Sequence, residues 1–382
     1  MKRLILFSLL FFLSTGARAQ GLSFARNIVD TLTSSYFWGR GYTNNGMQKA
    51  AGFLAAEFKS YGLLSISGKG YFQEFSYPIN TFPGKMEVTV DGRVLRPGFD
   101  FIVGAESRGV KGQGSLVRQD SIRFIDPKNK IEVVLKDKLT WSASSETADY
   151  TRIEIDKKKT SKTLSVVSVN VENRFVPRFK ASNVCGYVKG TSMPDSLLVI
   201  TAHYDHLGGM GSETFFPGAN DNASGVTLLL SLAKHYVAHP PKYSVAFICF
   251  AGEEAGLIGS RYFSENPLFP LNKTRFLLNV DLAGTGEEGI TVVNATVFAK
   301  EFSLLNEINS QQKYLVKIKQ RGKAANSDHY WFTEKGVPSF FIYALGGIQA
   351  YHDVFDRADT LPLTEFEDLL RLIVGFNNGL MD

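Results

Sequence analysis

Two short stretches of this chain, Leu197-Leu198-Val199-Ile200 and Ser244–Phe250, run apolar without alternation and are bounded by turn residues. A strand with one wet face alternates apolar and polar residues, so such runs mark strands buried on both faces. Phe276–Val280, Ile290–Val293 and Ser339–Tyr343 supply further strands. Ala223 to Val237 has helical spacing, with Val226, Leu229, Leu230 and Ala233 on one face, and Leu361–Leu380 reads as a closing helix. Strands alternating with helices predict an α/β fold, a three-layer sandwich with a mostly parallel central sheet. Ligands of such sheets gather at the carboxyl ends of the strands.

That pattern holds from Ala181 onward. Residues 22–64 read as helical: Thr43-Asn44-Asn45-Gly46 opens a helix with Met47, Ala50, Phe53, Leu54 and Phe58 on its apolar face, and Gly62 ends it. Residues 71–77 read as a strand. From Met86 to Lys180 short segments such as Met86–Val90, Ile131–Leu135 and Thr163–Val171 are separated by Asp91-Gly92, Pro97-Gly98 and glycines at 109, 112 and 114. Short strands with turn signals predict a small β-rich insert. The expected division is an α/β domain formed by residues 20–85 and 181–382, with the insert at 86–180. No internal repeat is evident.

The N-terminus has the layout of a secretory signal peptide: Lys2 and Arg3, an apolar run from Leu4 to Leu13, then Ala17-Arg18-Ala19. The run falls short of the roughly 20 residues that span a bilayer, so cleavage after Ala19 and a secreted or periplasmic protein are expected. Residues 1–19 hold three basic side chains and no acid, so their removal lowers the net charge from +5 to +2. That balance argues little for nucleic-acid or membrane partners. The basic run Lys157-Lys158-Lys159 reads as a solvated turn. Two cysteines, Cys185 and Cys249, are no disulfide framework and read as buried strand positions.

Polar clusters follow the predicted buried strands with few exceptions. His203-Tyr204-Asp205-His206 comes after the first, Glu253-Glu254 after the second, Asp281 after the third, and Tyr351-His352-Asp353 after the loop that leaves Tyr343. Asp221 lies in Gly218-Ala219-Asn220-Asp221-Asn222, just before a helix. Each alone suits a structural role. Adjacent carboxylates after a buried strand need a cation or separate tasks. Two histidines and three or four carboxylates at one sheet edge form the donor mix that zinc prefers.

These segments, with Gly218–Gly225, Gly252–Ser260 and Asn279-Val280-Asp281, resemble the M28 metallopeptidases in kind and order. That family comprises zinc aminopeptidases and related glutamate carboxypeptidases and glutaminyl cyclases. The resemblance covers residues 181–382 well and residues 22–80 less distinctively. It implies the zinc-peptidase sandwich and two Zn2+ ions, His203 and Asp281 binding one, Glu254 and His352 the other, Asp221 bridging. It further implies Glu253 as general base, Asp205 orienting His203 through its ring N–H, a peptide or protein substrate, and a backbone kink after Asp221 of the cis-peptide kind. The loop behind His352, Asp353 to Thr360, departs from the family's pattern of Thr or Ser, then Pro and an acid. The insert stands where many relatives carry a protease-associated domain; Leu95–Phe101 resembles that module weakly, so gating and spacer roles both stay open. His206 is expected to be a loop residue and not a ligand. Ser327-Asp328-His329 fits a helix cap as well as a substrate contact.

Gly284-Thr285-Gly286-Glu287-Glu288-Gly289 matches a dinucleotide fingerprint by letter, but the strand-like Ile290–Val293 follows where a helix N-terminus is needed. The chain has no Gly-x-Ser-x-Gly elbow, P-loop or His-Glu-x-x-His. The expectation is an exported two-zinc aminopeptidase. A glutaminyl cyclase-like acyltransferase and a non-catalytic binding protein on the same fold are the alternatives. Oligomeric state and residue preference have no sequence signal.

Overall fold

The computed structural model describes residues 21–382, and the expected signal segment, 1–19, lies outside the described residues. A nine-stranded sheet runs Leu64–Ser65, Arg174–Val188, Tyr243–Phe250, Met193–His203, Thr274–Asp281, Ser339–Ala344, Ile290–Val293, Ile318–Gln320, with Phe72–Thr81 paired alongside Arg174–Val188. The strands from Tyr243–Phe250 to Ser339–Ala344 are mutually parallel. Their neighbours on both sides join antiparallel. The sheet is therefore mixed, with the expected parallel arrangement concentrated at its centre.

Alternation within the central strands explains why they read as unbroken apolar runs. Leu198, Ile200, Phe247, Leu278 and Ile342 face one layer, packed with Val226, Leu229, Leu230 and Ala233 of the helix Gly225–Ala238. Val199, Ala246, Ile248, Phe250 and Leu277 face the other, against Phe263 and Phe332. Each such side chain taken fully out of water contributes roughly 1.5–3 kcal/mol, and the few polar residues buried there, such as Thr201 and Asn279, are hydrogen-bonded. Cys185 and Cys249 belong to opposite faces and are both free. Among the described residues no helix is long and apolar enough to cross a membrane.

Residues 21–32 are helical. The helix Gly46–Tyr61 buries Met47, Ala50, Leu54 and Phe58, with Phe53 partly covered, and Gly62 closes it at φ 85°. Asn45 precedes it in a left-handed conformation and makes no side-chain cap. The closing helix starts at Phe366 and not at Leu361. Pro362 keeps Leu361 out of the helical region, and Leu363 at φ 57° breaks the run again before the helix begins. The helix Ala299–Gln312 leaves little trace in the pattern, since Leu305 is its one buried residue.

Between residues 86 and 171 lie two further sheets. One holds Arg93–Leu95, Met86–Val90, Val166–Val171 and Val110–Ser115, the other Phe101–Val103, Thr151–Asp156, Ile131–Lys136, Arg123–Asp126 and Val117–Arg118. Their apolar faces share a core that includes Val88, Phe101, Val133, Ile153 and Val169 and runs on into Leu207, Met210, Phe216 and Val354. The strand Arg174–Val188 passes through residue 180, the expected edge of the insert, paired along Phe72–Thr81. Connection to the central sheet therefore begins several residues upstream of the composition change. The Lys157–Lys159 turn is half-exposed or exposed, as its sequence predicts.

Candidate metal centre

His203 and Asp281 end adjacent parallel strands whose register pairs Thr201 with Asn279, so the two side chains stand abreast. His203 Nε2 lies 3.3 Å from Asp281 Oδ2 and 3.5 Å from Asp221 Oδ1. Glu254 follows the strand Tyr243–Phe250. Its Oε2 is 3.2 Å from His352 Nε2, which is also 3.0 Å from Asp221 Oδ2. All five expected ligands are thus brought together, with one oxygen of Asp221 toward each pair. Glu253, the expected base, is half-buried beside them.

Asp221 is aimed by a clamped loop. Gly218 enters it at φ 61°, and the Asp221–Asn222 peptide is cis, the kink the resemblance implies. Asp356 accepts hydrogen bonds from the main-chain N–H groups of Asn220 at 2.8 Å and Asp221 at 2.9 Å. Arg40, with no exposed surface, donates to the carbonyls of Pro217 and Gly218, each at 2.7 Å, and of Asp221 at 3.2 Å. It also reaches the carbonyls of Tyr204 and Leu32. Asn222 ties the loop to the carbonyl of Val280 and accepts from Gly225 N–H.

Two residues depart from expectation. The Asp205 carboxylate stands 3.9 Å from His203 Nδ1, and it is the Asp205 carbonyl, at 3.1 Å, that pairs with that nitrogen. The carboxylate instead accepts from Glu253 N–H at 3.2 Å and Glu254 N–H at 3.3 Å, holding the segment that carries base and ligand. His206 is in the loop as expected, but it also braces a ligand. It is fully buried, and its Nδ1 pairs with Glu254 Oε1 at 2.6 Å, leaving Oε2 to face His352. His206 Nδ1, Asp221 and Glu254 also offer donor atoms within 4.8 Å of one another, as do His203, Asp221 and Asp281.

Arg40 and Asp356 are site residues that sequence reasoning missed, and Asp328 is one it singled out without placing. Asp356 had a signal, an acid close behind the last expected ligand. Arg40 had none, since it acts on carbonyls. Asp328 occupies the helix N-cap position without capping and lies fully buried; burial pushes its carboxyl up to about 6, with His203 opposing. Of the two roles left open for this segment, Asp328 therefore does not make the cap. Ser327 instead accepts from Asn279 Nδ2 at 2.8 Å, and His329 stacks on Phe341.

Crowded acids dominate the electrostatics. Burial, reinforced by Asp328, Glu254 and Asp281, holds the Glu253 carboxyl above its ordinary range against the pull of His203. Asp205 is pushed up to about 7 and Asp356 to about 6, both chiefly by burial. Burial would lower His352, but Glu254 and Asp221 override it and raise the imidazole to about 11. Asp281, Glu253 and Asp221 likewise outweigh burial at His203. Seven carboxylates therefore surround three imidazoles, while all five hydrogen bonds of Arg40 go to carbonyls. Buried negative charge of this density calls for cations. The donor set of imidazole nitrogen and carboxylate oxygen fits zinc.

The family model for peptidase family M28 matches residues 183–376. A probable zinc metalloprotease of Pyricularia oryzae is 38% identical over 114 residues, 29% of this chain and 23% of that protein. An aminopeptidase of Bacillus subtilis is 29% identical over 164 residues, 42% of this chain and 34% of its own length. The chain thus spans between 23% and 34% of these curated relatives. The crystal structure of a zinc aminopeptidase from Bacillus subtilis matches with a TM-score of 0.70 at 17% identity, over 94% of both chains, and shares the fold.

Proposed function

Because the chain belongs to peptidase family M28, we propose that it is a two-zinc aminopeptidase releasing N-terminal residues from peptides. The observation that carries this is the pose of Asp221, with Oδ1 toward His203 and Oδ2 toward His352. His203 and Asp281 would hold one zinc, Glu254 and His352 the other, and Asp221 both. The aminopeptidase of Bacillus subtilis among the similar proteins supports the peptidase reading.

Zinc bound here would polarise the scissile carbonyl and lower the pKa of the attacking water. Glu253 takes the proton from that water and returns it to the departing amine, a task suited to a carboxyl whose proton affinity is raised by burial. Asp205 keeps Glu253 and Glu254 in place through their main-chain N–H groups. His206 holds Glu254 by its other oxygen. Export to the periplasm or medium, from the layout of residues 1–19, belongs to the same proposal; N-terminal sequencing of secreted protein should begin at Gln20.

The test is one short peptide offered with a free and with an acetylated N-terminus, before and after chelator treatment. Chelator-sensitive release of the first residue from the free peptide alone is expected. Cleavage of neither peptide by metal-replete protein would overturn the proposal and direct the next assay to a glutaminyl substrate.

A further inference from the structure

One segment of the β-rich insert touches the metal centre directly. His352 Nδ1 pairs with the carbonyl of Trp141 at 2.9 Å, and the main-chain N–H of Trp141 donates back to the His352 carbonyl at 2.9 Å. Nε2 of the same ring faces Asp221 and Glu254. An imidazole that ligates through Nε2 must carry its proton on Nδ1, and a carbonyl accepting there selects that tautomer and sets the ring plane. The pairing also sustains His352 at φ 53°, a conformation that non-glycine residues seldom adopt.

Trp141 is itself held by the insert. Its indole is 5% exposed, donates Nε1–H to the carbonyl of Val103 at 2.7 Å, and stacks on Phe216 with ring centroids 4.6 Å apart. Three residues upstream, Lys138 reaches the carbonyl of Gln349 at 2.8 Å and Asp353 Oδ2 at 3.4 Å. Phe99 of the insert meets Phe355 edge to face. The loop bearing His352 is gripped by the insert along its length.

The histidine of the opposite metal position has its partner outside the insert. The Nδ1 partner of His203 is the carbonyl of Asp205, two residues along in the α/β part. We propose that the insert is a working part of the metal centre: through Trp141 it orients His352, so that retention of one of the two ions depends on the insert being docked. Trp141 is a positioning residue, and the insert is then neither a spacer nor only a gate. This rests on the two-zinc reading above.

The experiment measures zinc release from the full-length, zinc-loaded protein to a chromogenic chelator, below the melting onset of every variant. Wild-type protein should yield two ions in two phases. Trp141→Ala keeps the main-chain carbonyl but removes the indole that fixes it, so it should speed one phase by up to the roughly 10- to 100-fold of losing a partner behind a ligand, and leave the other unchanged. Ile153→Ala, in the insert's core and fully buried, should lower the melting temperature while changing neither phase. Should Trp141→Ala not fold, Trp141→Phe keeps an aromatic ring, loses the bond to Val103, and should speed the same phase to a smaller degree. Unchanged phases in the folded Trp141 variant, or equal acceleration of both phases there and in Ile153→Ala, would overturn the inference. Fewer than two ions in wild-type protein overturns the two-zinc reading itself, and is seen before any variant is made.

Discussion

Replacing Arg40 by lysine keeps a positive charge at that position but removes the guanidinium fork. Arg40 makes five hydrogen bonds, all to main-chain carbonyls and all from a side chain without exposed surface. An ammonium has three donors on one atom, so at least two carbonyls lose their partner. Each buried acceptor left unpaired costs about 1–3 kcal/mol. The Gly218 carbonyl retains Ala223 N–H as a second donor. The lower half of the range therefore applies, about 2–4 kcal/mol in all. At roughly 2.1 cal/mol/K per residue, a chain of this size has an unfolding entropy near 0.8 kcal/mol/K, so melting should drop by about 3–5 °C. Burial pushes the guanidinium pKa down to about 10. It is still charged at neutral pH, so the loss is one of geometry and not of charge. Since Pro217, Gly218 and Asp221 are among the affected carbonyls, the loop that aims Asp221 should slacken, and both zinc ions should leave faster. Thermal unfolding and chelator competition on the zinc-loaded protein measure the two effects. Melting within about 1 °C of wild type with unchanged zinc release would refute the reasoning, because it would mean the five bonds do not set the loop.

Glu253→Gln should keep both zinc ions and lose about a hundred- to ten-thousand-fold in kcat, as expected for removal of a proton-transfer group; full zinc content with wild-type turnover would exclude it as the base. His206→Ala frees Glu254 Oε1 and should weaken zinc binding about 10- to 100-fold, read by competition with a chelating dye. Metal-free protein should become less stable as pH rises. His352 is raised from 6.5 to about 11 in the folded state, so its contribution is fully present below pH 6.5 and disappears through about pH 11. Zinc affinity should move the opposite way over the same range, since a ligating imidazole must be unprotonated. Melting curves and dye titrations at matched pH values check both slopes, and parallel slopes would contradict the assignment of His352.

Much of the site was legible because its residues follow a rule that sequence can express. Buried strands announce themselves as unbroken apolar runs, and acids or imidazoles just past their carboxyl ends have one edge to occupy. His203, Glu254 and Asp281 all obey it. What escaped acts through main-chain atoms over long separations. Arg40 and Asp221 are 181 residues apart, and Trp141 and His352 are 211 apart. A carbonyl is present at every residue, so no side-chain identity marks it as a partner. Asp205 shows the same limit: its residue type suggested a carboxylate behind His203, whereas its carbonyl takes that place and its carboxylate serves the next loop. His206 lies in the loop where it was expected, but a position next to a filled ligand site says nothing of where the ring turns, so its bond to Glu254 could not be foreseen.

The amino-acid sequence by itself determined the α/β layering, the residue types at the strand ends and the family to which they belong. Periodicity and side-chain chemistry are local properties that survive without coordinates. The tertiary structure decided how the site is braced. The buried guanidinium of Arg40 and the carboxylate of Asp356 clamp the Asp221 loop, His206 turns Glu254, and an insert strung between two paired strands of the sheet places one carbonyl behind His352. Those contacts depend on hydrogen-bond directions of a few ångströms, which exist only once the chain has closed on itself.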